Sequence, residues 1–141
     1  DYMENLPYLY GQLLKAADEL HELYCDVVRD GQKPQELVGS SMFRSVSESP
    51  LRMLPVLSQR IMPYYAWAKV YRRKSDNENR KHAARAGWLY RGCEQITTRL
   101  WNSQTVPSRF NDEEKAQLFI GYLASFSEKE MKLEEESNHE S

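Results

Sequence analysis

The apolar side chains of residues 9–28 recur at intervals of three and four, which is the pattern of one face of an α-helix. They are Leu9, Leu13, Ala17, Leu20, Tyr24 and Val28. Asn5 or Leu6 begins this predicted helix and Gly31 ends it, since glycine commonly follows a helix C-terminus. No segment shows the alternation of a β-strand over a useful length. We therefore expect an all-α fold, a single-domain bundle of about four to five helices.

The second predicted helix carries two internal prolines. Ser49 is expected to be its N-cap, with Pro50 in the first helical position and the helix running through residues 51–74. Pro55 and Pro63 each lack the N–H group that the helical ladder needs. We therefore expect a kinked, proline-containing second helix, or two shorter segments, in place of one straight rod.

Residues 31–49, between the first two predicted helices, contain glycine, proline and serine without a sustained apolar period. This composition predicts mostly loop, with at most a short turn of helix. Met42 and Phe43 are large apolar residues in this segment, and we expect both to pack onto the core.

Two more helices are predicted in the second half of the chain. The third spans about residues 77–102, and its apolar seam is Leu89, Cys93, Ile96 and Leu100. Asn111 caps the fourth helix and forms a capping box with Glu114. The predicted buried side of the fourth helix is Ala116, Phe119, Ile120, Leu123 and Phe126. We assign residues 1–126 to the helical bundle and residues 127–141 to an acidic, frayed tail.

The sequence lacks the marks of a membrane or exported protein. No apolar run approaches the roughly 18 residues of a membrane span. Residues 1–11 lack the basic and then apolar order of a signal peptide. We therefore expect a soluble, cytoplasmic protein.

Patterns of catalytic or metal-binding residues are also missing from the sequence. His21 and Cys25 lie one helical turn apart in "HELYC", but a zinc site needs a third ligand, and His82 and His139 stand in unrelated segments. Cys25 and Cys93 have no metal or redox spacing and predict two reduced thiols, with a disulfide as the weaker alternative. We expect no enzyme, no metal and no cofactor.

Positive charge is concentrated in the middle of a chain whose net charge is −2. Residues 1–43 hold 3 basic and 8 acidic side chains, residues 44–109 hold 13 and 4, and residues 110–141 hold 3 and 9. The three blocks therefore carry −5, +9 and −6. A +9 segment predicts a polyanionic partner, and the sequence contains no recognition helix or zinc finger that would read bases. We expect contacts to the nucleic-acid backbone without sequence specificity.

Helix geometry places most cations of the third predicted helix away from its apolar seam. At about 100° per residue, Lys81, Arg85 and Arg99 lie close together on the helical wheel. Trp88 falls inside this basic arc, where its indole would stack on a base or an arginine, contact a neighbouring protein or be buried by another helix. The predicted nucleic-acid-binding residues are Arg44, Arg52, Arg60, Lys69, Arg72, Arg73, Lys74, Arg80, Lys81, Arg85, Arg91 and Arg99.

Three stretches of this chain resemble one protein family. They are "YLYGQLL" (residues 8–14), "GSSMFRSVSESPLRMLPVLSQ" (residues 39–59) and "VPSRFNDEEKAQLFIGYLASF" (residues 106–126). The chain resembles the C-terminal region of the large subunit of the type I-C CRISPR complex Cascade, which that system also makes separately as the small subunit. Met3 suits the internal start that this implies, and Gly121 is expected to let another backbone pack closely.

The resemblance implies a small, all-helical, non-catalytic subunit. Its implied partners are the guide RNA, the target DNA, the displaced single-stranded DNA and other Cascade subunits, namely the backbone subunits, the large subunit and further copies of itself. It would support the guide–target heteroduplex through backbone contacts while base pairing supplies specificity. The stretch "RRKSDNENRKHAARAGWLY" matches no pattern of that family, so contacts assigned to it follow from charge alone.

Two other functions stay open. A helical adaptor for protein–protein interaction would use the same cations to dock an acidic partner. A ligand-binding helical bundle would instead need a pocket with buried polar groups.

Overall fold

The computed structural model describes residues 4–74, 76 and 78–124, and it contains five α-helices. They are α1 (Leu6–Val28), α2 (Val38–Glu48), α3 (Pro50–Tyr71), α4 (Arg80–Trp101) and α5 (Asp112–Leu123). The described residues form no strand, so the predicted all-α bundle of four to five helices is confirmed. None of the described helices is long and apolar enough to cross a bilayer. The predicted tail, residues 127–141, lies outside the described residues.

Helix α1 lies at the centre of the bundle and contacts each of the other four helices. Its N-cap is Asn5, whose side-chain oxygen accepts a hydrogen bond from the Tyr8 N–H at 3.3 Å. At its other end, the N–H groups of Arg29 and Gly31 both donate to the Cys25 carbonyl. Gly31 has a φ of 84°, which favours glycine. Both ends of α1 therefore agree with the sequence prediction.

Helix α2 corrects the prediction of mostly loop for residues 31–49, since Val38–Glu48 is helical. Met42 is buried and Phe43 is partly buried against the core, as expected. The N-cap of this helix, Leu37, makes no side-chain cap hydrogen bond. Local sequence therefore gave no start signal for α2.

Side chains of α1 cap α2 instead. His21 Nδ1 accepts a hydrogen bond from the Val38 N–H at 3.0 Å, and Asp18 Oδ1 accepts one from the Ser40 N–H at 2.9 Å. These N–H groups belong to the first turn of α2, where a helix cannot bond them itself. A carboxylate at this positive helix end is also electrostatically favourable. Because both caps come from a distant helix, tertiary packing starts α2.

Helices α3 and α4 form an antiparallel pair in which Tyr65 stacks on Tyr90 with ring centroids 4.5 Å apart. Helix α3 begins at Pro50 as predicted and runs unbroken through Pro55 and Pro63, so the alternative of two separate segments is wrong. Both internal prolines are exposed, which places the lost helical hydrogen bonds on the solvent side. The predicted seam of α4 is buried as expected: Leu89, Cys93, Ile96 and Leu100. Both cysteines are free and buried.

Helix α5 begins with the predicted capping box between Asn111 and Glu114. Its predicted buried side is wrong for the described residues, because Ala116 is exposed and Phe119, Ile120 and Leu123 are 52%, 49% and 60% exposed. Phe126 lies outside the described residues. The side that faces the core consists of Leu118, Gly121 and Tyr122.

Two features turn α5 to this orientation. The Tyr122 hydroxyl donates to Asp18 Oδ2 at 2.5 Å, and burial together with this bond raises the pKa of Tyr122. Gly121 lies against α1, where a Cβ atom would sit 2.2 Å from the Tyr8 carbonyl oxygen. Gly121 therefore lets another backbone pack closely, as predicted from the sequence.

Candidate nucleic-acid interface

The predicted cations are mostly on the surface. Arg72 and Arg99 are partly buried, and the other ten are exposed. Within the described part of the chain, seven of the exposed cations make no ion pair: Arg52, Arg60, Lys69, Arg73, Lys74, Arg80 and Lys81. Unpaired surface cations of this kind are available to a polyanion.

The seven cations do not share one surface. Arg60 and Lys69 are nine residues apart on the continuous helix α3. At about 100° per residue, that spacing puts them on opposite sides of the helix. Arg44 lies on α2 and pairs with Glu48 at 3.4 Å. The predicted cations of α3 therefore do not form one continuous face.

Arg85 faces a different neighbour. Its Nη2 atom lies 3.6 Å from Glu19 Oε2 of α1, in a polar cleft that His82 and Lys15 also line. Burial raises the pKa of Glu19, and the charge of Arg85 opposes that shift. Arg85 therefore helps join α4 to α1, which reduces its availability to a phosphate.

Other cations converge where α3 leads into α4. The Arg72 guanidinium carbon lies 4.9 Å from the centroid of the Tyr90 ring, and Arg72 Nε donates to the Lys69 carbonyl at 3.0 Å. Arg72 Cδ and Arg91 Nη1 lie 3.9 and 3.7 Å from the point where a Cβ of Gly87 would sit. Arg72 and Arg91 therefore lie over the same spot on α4.

The connection between these helices is fixed by hydrogen bonds. The Tyr71 hydroxyl donates to Asn79 Oδ1 at 2.8 Å, and Asp76 Oδ1 accepts from the N–H of Asn79 at 2.9 Å. These contacts hold the end of α3 beside the start of α4. We call the surrounding cations the basic turn, and they are Arg72, Arg73, Lys74, Arg80, Lys81 and Arg91.

The first turn of α4 has an unusual charge. It contains Arg80 and Lys81 and no acidic residue. Cations are unfavourable here because the helix dipole is positive at this end. Helix α5 shows the ordinary arrangement, with Asp112, Glu113 and Glu114 in its first turn. Asp76 and Glu78 precede this turn and offset part of that cost, and the two exposed cations remain available to an external anion.

Trp88, which the helical wheel placed among the cations, is partly buried and packs against the hydrophobic core. Sequence reasoning missed Tyr90 and Gly87. The Arg72 guanidinium lies over the Tyr90 ring, and Arg72 and Arg91 both lie over Gly87. The available sequence signal was Gly87 itself, a small residue between the two arginines of "RAGWLYR".

The structure assigns structural contacts to the "HELYC" pair. Cys25 is buried, and His21 accepts from the Val38 N–H while its ring stacks on Tyr64 with centroids 4.3 Å apart. No group of three potential metal ligands occurs among residues 4–74, 76 and 78–124. His21 therefore acts as a cap for α2 in this structure.

Protonation of His21 is expected to weaken the fold as pH falls. Burial lowers the pKa of His21 below its ordinary 6.5, with Asp18 opposing and Arg29 adding to the shift. The unfolded chain therefore binds the proton more readily, so the stabilising contribution is complete above about pH 6.5 and is lost as pH falls towards the folded-state pKa. The urea concentration at the midpoint of unfolding should therefore decrease as the pH is lowered across this range.

The matched variant is His21→Asn, whose side-chain oxygen can accept from Val38 and does not titrate. This variant should remove most of the pH dependence. The difference between the variant and the parent protein separates the contribution of His21 from that of Glu19, whose pKa is also shifted. Equal pH dependence in both proteins would contradict the capping role.

Comparison of the chain with protein-family models, with curated proteins and with solved structures finds no match.

Proposed function

We propose that this protein binds nucleic-acid backbones through the basic turn, without sequence specificity and without catalysis. The observation that carries this proposal is the pair of cations, Arg80 and Lys81, at the positive end of α4. Both are exposed, and their unfavourable position is only partly offset by Asp76 and Glu78, so a further anion would be favourable there. The surrounding +9 segment supplies long-range attraction for a polyanion.

The start of α4 also offers donors for a phosphate. Its N-cap, Asn79, makes no side-chain cap hydrogen bond, because the Asn79 oxygen accepts from the Tyr71 hydroxyl. Exposed N–H groups and the helix dipole favour a phosphate at a helix N-terminus. Arginine grips phosphate oxygens with two N–H groups at once, and the basic turn contains four arginines.

Together with the family resemblance, this surface supports a role as the small subunit of a type I-C Cascade complex. The guide RNA, the target DNA and the displaced single strand would then be the ligands, while base pairing supplies specificity. Contacts with other subunits are supported by the exposed apolar side of α5, which carries Phe119, Ile120 and Leu123. Exposed apolar patches of this kind commonly mark a surface that another protein covers.

The second candidate is an adaptor that docks an acidic protein. The contact between Arg85 and Glu19 favours this second candidate, because it shows that a cation of α4 also binds a carboxylate. Protein carboxylates carry no condensed counterions, whereas nucleic-acid phosphates do. Salt dependence therefore separates the two candidates.

A salt titration is expected to show steep, linear loss of affinity for single-stranded DNA. Six phosphate contacts by the basic turn predict a slope of about −4 in a plot of log K against log salt. Fluorescence anisotropy with the full chain gives this slope. Oligo-dT and a mixed sequence should bind about equally, because backbone contacts carry no sequence information.

The assembled complex provides the second measurement, because a free subunit makes only part of the contacts. Two results would overturn the proposal: no binding of DNA or RNA at low salt by either the chain or the complex, or a shallow slope with tight binding to an acidic peptide.

A further inference from the structure

Arg85 differs from the six cations of the basic turn because a carboxylate of another helix holds it. Its Nη2 atom lies 3.6 Å from Glu19 Oε2 of α1, and its side chain is 46% exposed. Arg85 follows Lys81 of the basic turn by four residues, which brings their Cβ atoms to within about 6 Å of each other on α4. Arg85 therefore lies next to the proposed nucleic-acid surface while its guanidinium contacts α1.

The contact that holds Arg85 is an ion pair without a hydrogen bond. Glu19 Oε2 is buried and accepts no hydrogen bond within the described part of the chain. An ion pair with a half-exposed arginine and no hydrogen bond contributes little to stability. An arginine that donates two N–H groups to one phosphate binds more strongly. A phosphate beside Lys81 can therefore compete with Glu19 for the guanidinium.

The surroundings of Glu19 allow its carboxylate to lose this partner. Lys15 lies one turn earlier on α1 and lines the same cleft, so a second cation stays near Glu19. Burial raises the pKa of Glu19, and the charge of Arg85 opposes that shift. Departure of Arg85 therefore favours proton uptake by Glu19, which removes the buried charge.

Among the described residues, the titratable and charged groups around Glu19 come from α1 and α4. Those of α1 are Lys15, Asp18, Glu22 and Asp26, and those of α4 are His82, Arg85 and the uncharged thiol of Cys93. Lys33 Nζ lies 3.2 Å from Glu22 Oε1 and 3.7 Å from Asp26 Oδ1. This cation offsets part of the repulsion that the two exposed acids would exert on a phosphate.

We propose that Arg85 is a further phosphate-binding cation of the nucleic-acid surface, and that Glu19 holds it against α1 until a phosphate takes the place of the carboxylate. This inference rests on the proposed function, since it adds a binding residue and a positioning residue to the same surface. The transfer requires only a new side-chain rotamer of Arg85, because Lys81 and Arg85 lie on one helix. Removing the charge of Glu19 should therefore strengthen binding.

The test compares Glu19→Gln with Glu22→Gln, which removes the same charge from a residue that contacts Lys33 and not Arg85. In anisotropy titrations of the full chain with oligo-dT, Glu19→Gln should raise affinity about threefold to tenfold at about 0.1 M salt. It should also steepen the slope of log K against log salt by about 0.7, the value of one phosphate contact on a single strand. Glu22→Gln should change affinity less than about twofold and leave the slope unchanged, because it releases no cation of α4. Glutamine is a good helix former, so both variants should fold.

A third variant, Arg85→Gln, locates the effect. In a chain that carries Arg85→Gln, Glu19→Gln should raise affinity no more than Glu22→Gln does, since no guanidinium is left to release. Equal gains with Glu19→Gln and Glu22→Gln, or a gain that persists undiminished with Arg85→Gln, would overturn the inference and leave the proposed function intact. Failure of the parent chain to bind oligo-dT would overturn both.

The pH dependence of binding by the parent chain is a second measurement. Because transfer of Arg85 removes the charge that opposes the raised pKa of Glu19, binding should take up a proton. Affinity should therefore rise as pH falls through the range in which Glu19 titrates. Glu19→Gln should lose this part of the pH dependence, whereas contributions from His21 and His82 persist in both chains. Equal pH dependence of affinity in the two chains would also overturn the inference.

Discussion

Gly121→Ala is expected to destabilise the protein by about 3 kcal/mol or more, because overpacking at a backbone contact cannot be relieved by a side-chain movement. A Cβ at this position would lie 2.2 Å from the Tyr8 carbonyl oxygen and 2.9 Å from the Tyr8 carbonyl carbon. Helices α1 and α5 would have to move apart. That movement would also weaken the bonds from Gln12 Nε2 to the carbonyls of Gly121 and Ala124.

Gly11→Ala should have a similar effect, since its Cβ would lie 2.1 Å from the Leu118 carbonyl oxygen. The matched control is Gly87→Ala, where the nearest atom would be Arg72 Cβ at 3.4 Å. That control changes glycine to alanine within a helix and should raise stability by up to about 1 kcal/mol. Urea unfolding and thermal melting give the comparison, with a melting temperature lowered by about 10 °C for Gly121→Ala.

The double variant of Gly11 and Gly121 tests whether the two glycines act at one contact. Once α1 and α5 have separated for the first methyl group, the second should cost much less, so the effects should not add. Full additivity, or a stability loss in Gly87→Ala equal to that in Gly121→Ala, would show that the close approach of α1 and α5 does not explain the requirement for glycine.

The same contact explains why the orientation of α5 could not be predicted from the sequence. Both sides of the helix have helical spacing: Phe119, Ile120 and Leu123 on one, and Leu118, Gly121 and Tyr122 on the other. Periodicity favours the larger apolar side chains, which is why the wrong side was predicted as buried. The outcome depends on Gly11 and Asp18 of α1, more than 100 residues away in sequence.

Helix starts were predictable where their signals are local. The capping box of α5 and the Ser49–Pro50 start of α3 lie within a few residues of the helices they begin. Helix α2 was missed because its caps, Asp18 and His21, belong to α1. Local propensity gives no information about such contacts.

The candidate nucleic-acid surface was predictable from charge only in outline. Composition located the cations in residues 44–109. It did not show that Arg85 contacts Glu19 or that Arg60 lies opposite Lys69, because these relations depend on helix pairing and on an unbroken α3. The helical wheel placed Lys81 away from the seam, and the structure shows that Arg80 and Lys81 are both exposed and begin α4.

The largest expected effect on function follows from replacing four cations of the basic turn by glutamine. The four are Arg73, Lys74, Arg80 and Lys81, which are exposed and make no ion pair within the described part of the chain. Loss of four phosphate contacts should reduce the steepness of the salt dependence by about 3 and lower affinity for single-stranded DNA several hundredfold at about 0.1 M salt. Anisotropy titrations across a range of salt concentrations measure both values.

A matched control removes the same charge elsewhere. Its residues are Arg44, Arg52, Arg60 and Arg109, all exposed and outside the basic turn. Because salt at about 0.1 M screens charges separated by more than about 10 Å, the control variant should lose less than about tenfold in affinity. Equal losses in the two variants would mean that net charge, and not the basic turn, governs binding.

The double variant with Arg80→Gln and Lys81→Gln distinguishes a role in binding from a purely structural role. Removing two cations from the positive end of α4 should raise stability by about 0.3 to 1 kcal/mol for each charge, while the same change weakens DNA binding. Opposite signs of the two effects are typical of residues that serve binding at the expense of stability. A fall in stability together with unchanged DNA affinity would assign Arg80 and Lys81 to the fold and contradict the proposed interface.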